Sequence, residues 1–149
     1  MSYLGLGRKM KCNKSNRLQC GLTLVEVAIT LAILAVITGI AYPSYLQQVR
    51  KSHRMVALSD MLAIQHELER GYDNGYHFEQ IVSAGTCSIC DSQTTRYRFE
   101  ITAGSTVTYI IKATAQSSQQ QTKDSCLDDD KSMTLNALGV TTPAACWGQ

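Results

Sequence analysis

Residues 22–42, "LTLVEVAITLAILAVITGIAY", form a run of twenty-one almost wholly apolar residues. At 1.5 Å rise per residue, a helix of this length matches the ~30 Å hydrocarbon core of a bilayer. One residue breaks the pattern, Glu26. A carboxylate on a helix costs roughly 2.5–3.5 kcal/mol at the bilayer centre, so a glutamate there requires a reason.

The flanks of the run give its direction. Residues 1–21 carry Arg8, Lys9, Lys11, Lys14 and Arg17 and no acid. The other nine Lys/Arg stand against all twelve Asp/Glu, so residues 22–149 have a formal charge of −3. A basic start followed by an apolar run is the pattern of a targeting segment. The basic side stays in the cytoplasm by the positive-inside rule, which places the bulk of the chain outside. An acidic body gives no general case for phosphate binding. Cys12 and Cys20 precede the apolar run, whereas Cys87, Cys90, Cys126 and Cys146 follow it. In an oxidising compartment those four are read as disulfides, with three pairings open.

"GLTLVE", the apolar helix behind it and "AYPSY" together resemble the class III signal of type IV pilins. The resemblance implies cleavage by a prepilin peptidase between Gly21 and Leu22, followed by methylation of the new amine of Leu22. Glu26 becomes mature position five, the position that family uses for its glutamate. Leu22 stands where the family usually has Phe. The physics makes Glu26 intelligible. In a fibre of packed helices its carboxylate meets the new amine of a neighbouring subunit. A buried charge is tolerable when paired and costly when alone. "MKCNKSNRLQCG" from Met10 forms a complete basic leader, so Met10 is an alternative start to Met1.

Pro43 sits inside a helical pattern, where it removes one backbone hydrogen bond, and the family commonly has a proline there. Ala57, Met61, Ile64 and Leu68 recur at helical spacing, while Arg50, Lys51, Arg54, Glu67 and Glu69 are assigned to other faces. One helix from about Thr23 to Arg70, capped by Gly71, is expected to run on the order of 70 Å. Residues 71–95 read as loop. Tyr97, Phe99 and Ile101 alternate with Arg98 and Glu100 as a one-sided strand, with a turn at 103–105 and a returning strand from Val107 to Ala115. "SSQQQTKD" reads as a polar loop, and Met133–Asn136 as a third strand.

The expected fold is α+β: a long N-terminal α-helix, apolar in its first half, packed on a small antiparallel β-sheet head, the pilin fold. The expected segments are a leader at 1–21, a membrane and fibre-core helix at 22–50, and an exported head at 51–149. "DSCLDDDKSMTLNALGVTTPAACWG" resembles the end of type IVa, PilE-like minor pilins. That resemblance makes Cys126 and Cys146 the bounds of a disulfide loop, leaving Cys87 to pair with Cys90. The CxxC spacing by itself also fits a redox motif or half a zinc site, but no second CxxC exists and its neighbours do not suggest a helix start.

Three functions follow from these residues. The first is a structural subunit of a type IV pilus, a minor pilin, with other pilin subunits, the prepilin peptidase and the inner membrane as partners. The second is a minor pilin that captures DNA, for which Arg96 and Arg98 with Lys112 or Lys123 are the candidate cations; the alternative is that these are ordinary solvated strand charges. The third is a type II secretion pseudopilin, whose relatives include calcium binders; Asp128–Asp130 invite that reading because hard cations take carboxylate oxygens. His53 and His66 lie on the helix and His77 in a loop, and none suggests a catalytic constellation, so no enzyme activity and no cofactor are expected. Mass spectrometry of the membrane form is expected to find an N-methylated Leu22 terminus; a mature chain starting at or beyond residue 42 would remove the pilin reading.

Overall fold

A computed structural model describes residues 23–148; the expected cleavage site Gly21–Leu22, the expected methylation at Leu22 and the expected leader 1–21 lie outside the described residues. Helix α1 runs Leu24–Arg70 with Pro43 inside it. The chain divides into two units that meet in sequence at Thr38 and Gly39.

In the first unit the helix begins on a cap. The hydroxyl Oγ1 of Thr23 accepts the backbone N–H of Glu26 at 3.2 Å, satisfying one of the amides left free at a helix start. The hydroxyls of Thr30 and Thr38 donate to carbonyls of their own helix, so both polar groups are satisfied without an outside partner. Leu24, Leu31 and Val36 are exposed. Such a surface is covered by a lipid phase or by other chains.

The second unit is built on the rest of α1. Ala57, Met61, Ile64 and Leu68 are buried, as the helical spacing predicts. The same register extends back through Arg54 and Arg50, which are buried too, at 3% and 9% exposure. This corrects their assignment to other faces: positions 50, 54, 57, 61, 64 and 68 keep one spacing of four and three, and all face inward. The stripe packs on a four-stranded antiparallel sheet of order β3-β4-β5-β6. Its strands are β3 (Tyr97–Ala103), β4 (Tyr109–Ala115), β5 (Ser132–Asn136) and β6 (Thr141–Thr142). Tyr97 and Phe99 from β3, Ile111 and Ala113 from β4, and Met133 and Leu135 from β5 fill the space against the helix. Alternate residues of β3 and β4 point inward, so one face of these strands is dry and the other more exposed. The returning strand begins at Tyr109 rather than Val107, because residues 104–108 form the turn. There a Cβ on Gly104 would lie 2.3 Å from the carbonyl oxygen of Val107, which restricts the position to glycine.

Residues 71–95 are more ordered than a loop. They contain α2 (Phe78–Ile81) and a hairpin of β1 (Val82–Ser83) and β2 (Thr86–Cys87). Gly85 sits at φ +79°, and Ala84 also adopts a positive φ, so the tight turn falls between two very short strands whose alternation is too brief to read. The carboxylate of Asp60, buried on α1, accepts the backbone N–H groups of Asp91 and Ser92 at 3.0 and 2.9 Å. That contact fixes the segment after Cys90 to the helix. At the other end of the same stretch, Tyr109 donates to Glu69 at 2.5 Å and Tyr76 packs edge-on against Tyr109, closing the core over the end of α1.

Cys126 is joined to Cys146 and Cys87 to Cys90. The first bridge closes a sequence separation of 20 around β5, β6 and the short helix α3 (Ala144–Trp147). Cys146 is fully buried. In the chain-entropy account such a loop contributes about 3 kcal/mol, and the short 87–90 loop about 2 kcal/mol. Denaturant unfolding of the oxidised chain is therefore expected to show a greater loss of stability for Cys126→Ser/Cys146→Ser than for Cys87→Ser/Cys90→Ser. The reverse order would assign the larger constraint to the loop held by Asp60.

Candidate functional site

The four cations Arg96, Arg98, Lys112 and Lys123 do not form one patch. Arg98 and Lys112 lie on the outer face of the sheet, where Glu100 pairs directly with Lys112 in the β3–β4 register. Lys112 Nζ also lies 3.8 Å from Asp130. Those charges largely offset one another, which is the ordinary behaviour of a solvated strand face. Arg98 stays exposed on β3 beside a cleft of about 500 Å³ that is also lined by Gly85, Thr114 and Gln116.

Arg96 and Lys123 belong to a different place. The segment 116–126 returns to α1 at the level of Arg50 and Arg54. Arg50 donates to the side-chain oxygen of Gln120 at 3.3 Å, and Arg54 Nη1 pairs with Asp124 Oδ1 at 2.5 Å. Arg96 donates to the carbonyl of Gln119 at 3.0 Å and to Gln121 Oε1 at 3.3 Å. Gln121 is fully buried and works in three directions. It accepts from Arg96, and its Nε2 donates to the Arg50 carbonyl at 2.9 Å and to the Tyr97 hydroxyl at 3.1 Å. Burial pushes the Tyr97 hydroxyl up to about 12, so it stays protonated.

The outcome is an end of the head where Arg50, Lys51, Arg54, Arg96 and Lys123 line two clefts in which, among the described residues, Asp124 is the one carboxylate. Two clefts flank Arg50, of about 230 and 180 Å³. Lys51, Lys123, Gln47 and Ser125 line the first, and Arg96 and Ser118 the second. His53 reports on the setting: partial burial, then the charge of Arg96, pushes its imidazole below its usual range. Sequence reasoning missed this end because it took Arg50 and Arg54 as outward-facing. Their register with Ala57 was the available signal.

The remaining predicted residues lie as follows. Glu26 is exposed in the first turn of α1, and Pro43 lies inside that helix. Asp130 accepts the backbone N–H of Ser132 at 3.3 Å and also its hydroxyl. Those hydrogen bonds from Ser132 hold its carboxyl below the usual range, and Asp130 is thereby committed to its turn. Among the described residues no group of three or more His, Cys, Asp or Glu is placed to hold a metal ion.

A long capped apolar helix leading into a helix-on-sheet head with a disulfide-closed tail defines a pilin-like protein. Residues 16–42 match the model of the prokaryotic N-terminal methylation motif. Residues 43–128 match the model of the type IV minor pilin ComP, DNA uptake sequence receptor, and the chain belongs to that family of minor pilins. Neither a curated protein nor a solved structure matches it.

The buried pair at the basic end makes a clear expectation. Arg54→Met leaves Asp124 charged and uncompensated in the interior and is expected to cost about 3–5 kcal/mol in urea unfolding. The double substitution Arg54→Met/Asp124→Leu is expected to recover most of that loss. Equal losses for the single and double variants would show that packing, not the stranded charge, governs the site.

Proposed function

We propose that this chain is a minor subunit of a type IV pilus whose head receives DNA for uptake. The observation that carries the DNA part is the match of residues 43–128 to the family described as a DNA uptake sequence receptor. The span includes Arg98 and its cleft. An exposed guanidinium offers a fork of donors to a phosphate or a guanine edge, and Thr114 and Gln116 beside it supply the neutral hydrogen-bonding groups that such contacts use. Lys112 is the weaker contributor, since Glu100 and Asp130 already face it.

The subunit part has its own sequence of events. The peptidase cuts between Gly21 and Leu22 and methylates Leu22. Residues 22–50 hold the subunit in the inner membrane, with the head 51–149 on the exported side. On assembly the Glu26 carboxylate pairs with the amine of a neighbouring subunit, and Pro43 gives the helix a place to yield. The Cys126–Cys146 tail supports placement among the type IVa, PilE-like minor pilins. Among the three readings drawn from the sequence, the minor pilin match favours the pilus over a secretion pseudopilin, with which the methylation motif is shared.

Sheared filaments separate the two parts. Glu26→Ala is expected to be cleaved and retained in the membrane but depleted from filaments. Arg98→Ala is expected to enter filaments normally and to bind duplex DNA about 5- to 150-fold more weakly at fixed salt. Normal DNA affinity of Arg98→Ala filaments would remove the cleft from the reading, and normal incorporation of Glu26→Ala would remove the pairing role.

A further inference from the structure

We infer that the basic end of the head is a seat for the phosphates of anionic lipid headgroups, occupied while the subunit waits in the membrane. The inference goes beyond DNA reception and rests on the reading of residues 22–42 as membrane-embedded.

The argument starts from position. The apolar run ends at Tyr42, and Tyr45 follows it; both tyrosines are exposed, at 64% and 66%. Tyrosines gather where a helix leaves the hydrocarbon, because their rings suit the boundary and their hydroxyls suit the headgroups. Arg50 stands five residues beyond Tyr45, about 8 Å along a helix. That is the thickness of the headgroup layer on one side of a bilayer, roughly 5–8 Å. Lys51 lies in the same turn. The fold then returns segment 116–126 to this level and adds Lys123, with Arg96 beside the second cleft.

Charge carries the argument further. Cations on the exported flank of a membrane helix oppose the positive-inside bias, so their presence there needs a use. Arg54 has one in Asp124, and Arg50 and Arg96 are partly held by Gln120, Gln119 and Gln121. Lys51 and Lys123 form no salt bridge among the described residues, yet they line one cleft of about 230 Å³ together with Gln47, Gln48, Ser44 and Ser125. Two ammonium groups among amides and hydroxyls suit a singly charged phosphodiester that still carries much of its water. Asp124 also lines the first cleft, where Arg54 pairs with it; Asp128, Asp129, Glu67, Glu69, Asp73 and Glu79 line neither. An anionic surface therefore attracts this end of the head selectively.

Each Lys or Arg near an anionic surface strengthens association by about fivefold. Removing two is expected to weaken it on the order of twentyfold. The test places the full chain in nanodiscs of phosphatidylcholine alone or of phosphatidylcholine with phosphatidylglycerol, and follows amide hydrogen exchange over residues 116–126. The expected result is protection of that segment in the phosphatidylglycerol discs only, lost in high salt and in Lys51→Gln/Lys123→Gln. Arg98→Ala, which alters the outer face of the sheet and neither cleft, is expected to keep that protection. Equal protection in the two disc types overturns the proposal. So does protection that needs added duplex DNA, which assigns the surface to nucleic acid, or protection that rises with copies per disc whatever the lipid, which assigns it to a second subunit. A chain that enters neither disc overturns this proposal and the membrane reading together.

Discussion

One helical stripe must do two incompatible things, and the head is arranged around that conflict. Positions 50, 54, 57, 61, 64 and 68 of α1 all face inward. The last four are apolar and need only a sheet to cover them. The first two are arginines, and a guanidinium taken out of water costs several kcal/mol unless a carboxylate or a set of acceptors meets it. The sheet satisfies the apolar half, and the segment between β4 and β5 satisfies the rest. Asp124 meets Arg54, and Gln120 meets Arg50. The long excursion between those strands therefore has a physical purpose, since a tight hairpin there would leave both arginines unmet.

The excursion is held by covalent as well as polar means. Asp124 Oδ1 accepts from Arg54 and also from the backbone N–H of Cys126 at 3.4 Å, and Cys126 is bridged to buried Cys146. Gln121 connects the same segment to the Arg50 backbone, to Arg96 and to Tyr97 at the start of β3. One short stretch thus ties the helix, the first strand of the sheet and the C-terminal tail together. A network of this kind is strong when every member is present and weak when one is missing, because each group is stranded by the loss of another. The Cys87–Cys90 loop is held differently, by the two amides that Asp60 accepts.

The sequence made the long elements legible and left the short ones hidden. Twenty-one apolar residues, a stripe from Ala57 to Leu68 and the alternation of Tyr97, Phe99 and Ile101 are strong periodic signals, and the α+β fold follows from them. The strands Val82–Ser83, Thr86–Cys87 and Thr141–Thr142 are two residues each, too short for any period to register. The basic end was hidden for another reason. Residues that carry charge are read as outward, and the pattern of Arg50 and Arg54 was judged by chemistry rather than by spacing. Spacing was the better guide, because the partners that make a buried arginine tolerable came from residues seventy positions away in the sequence. The suggested patch of Arg96 and Arg98 with Lys112 or Lys123 does not form: Arg98 and Lys112 are charges of a solvated strand face, whereas Arg96 precedes the strand and its side chain turns to the 119–121 backbone and amide.

The charge pattern gains its meaning from the order of the elements. A glutamate at the start of the apolar run, capped helix geometry around it and cations just beyond its end describe a chain with two chemical boundaries on a single helix. At the first boundary the polar group is negative, and in the proposed assembly a neighbouring subunit's amine meets it. At the second the groups are positive, with Asp124 taken up by Arg54. An acidic body with a basic end is dipolar, so on the proposed reading an anionic surface draws that end and repels the rest. Glu26 has no such partner until a neighbouring amine arrives, so in the proposed assembly it is the first boundary that gains a partner, and the cost of an unpaired carboxylate in an apolar run favours the fibre over the isolated subunit.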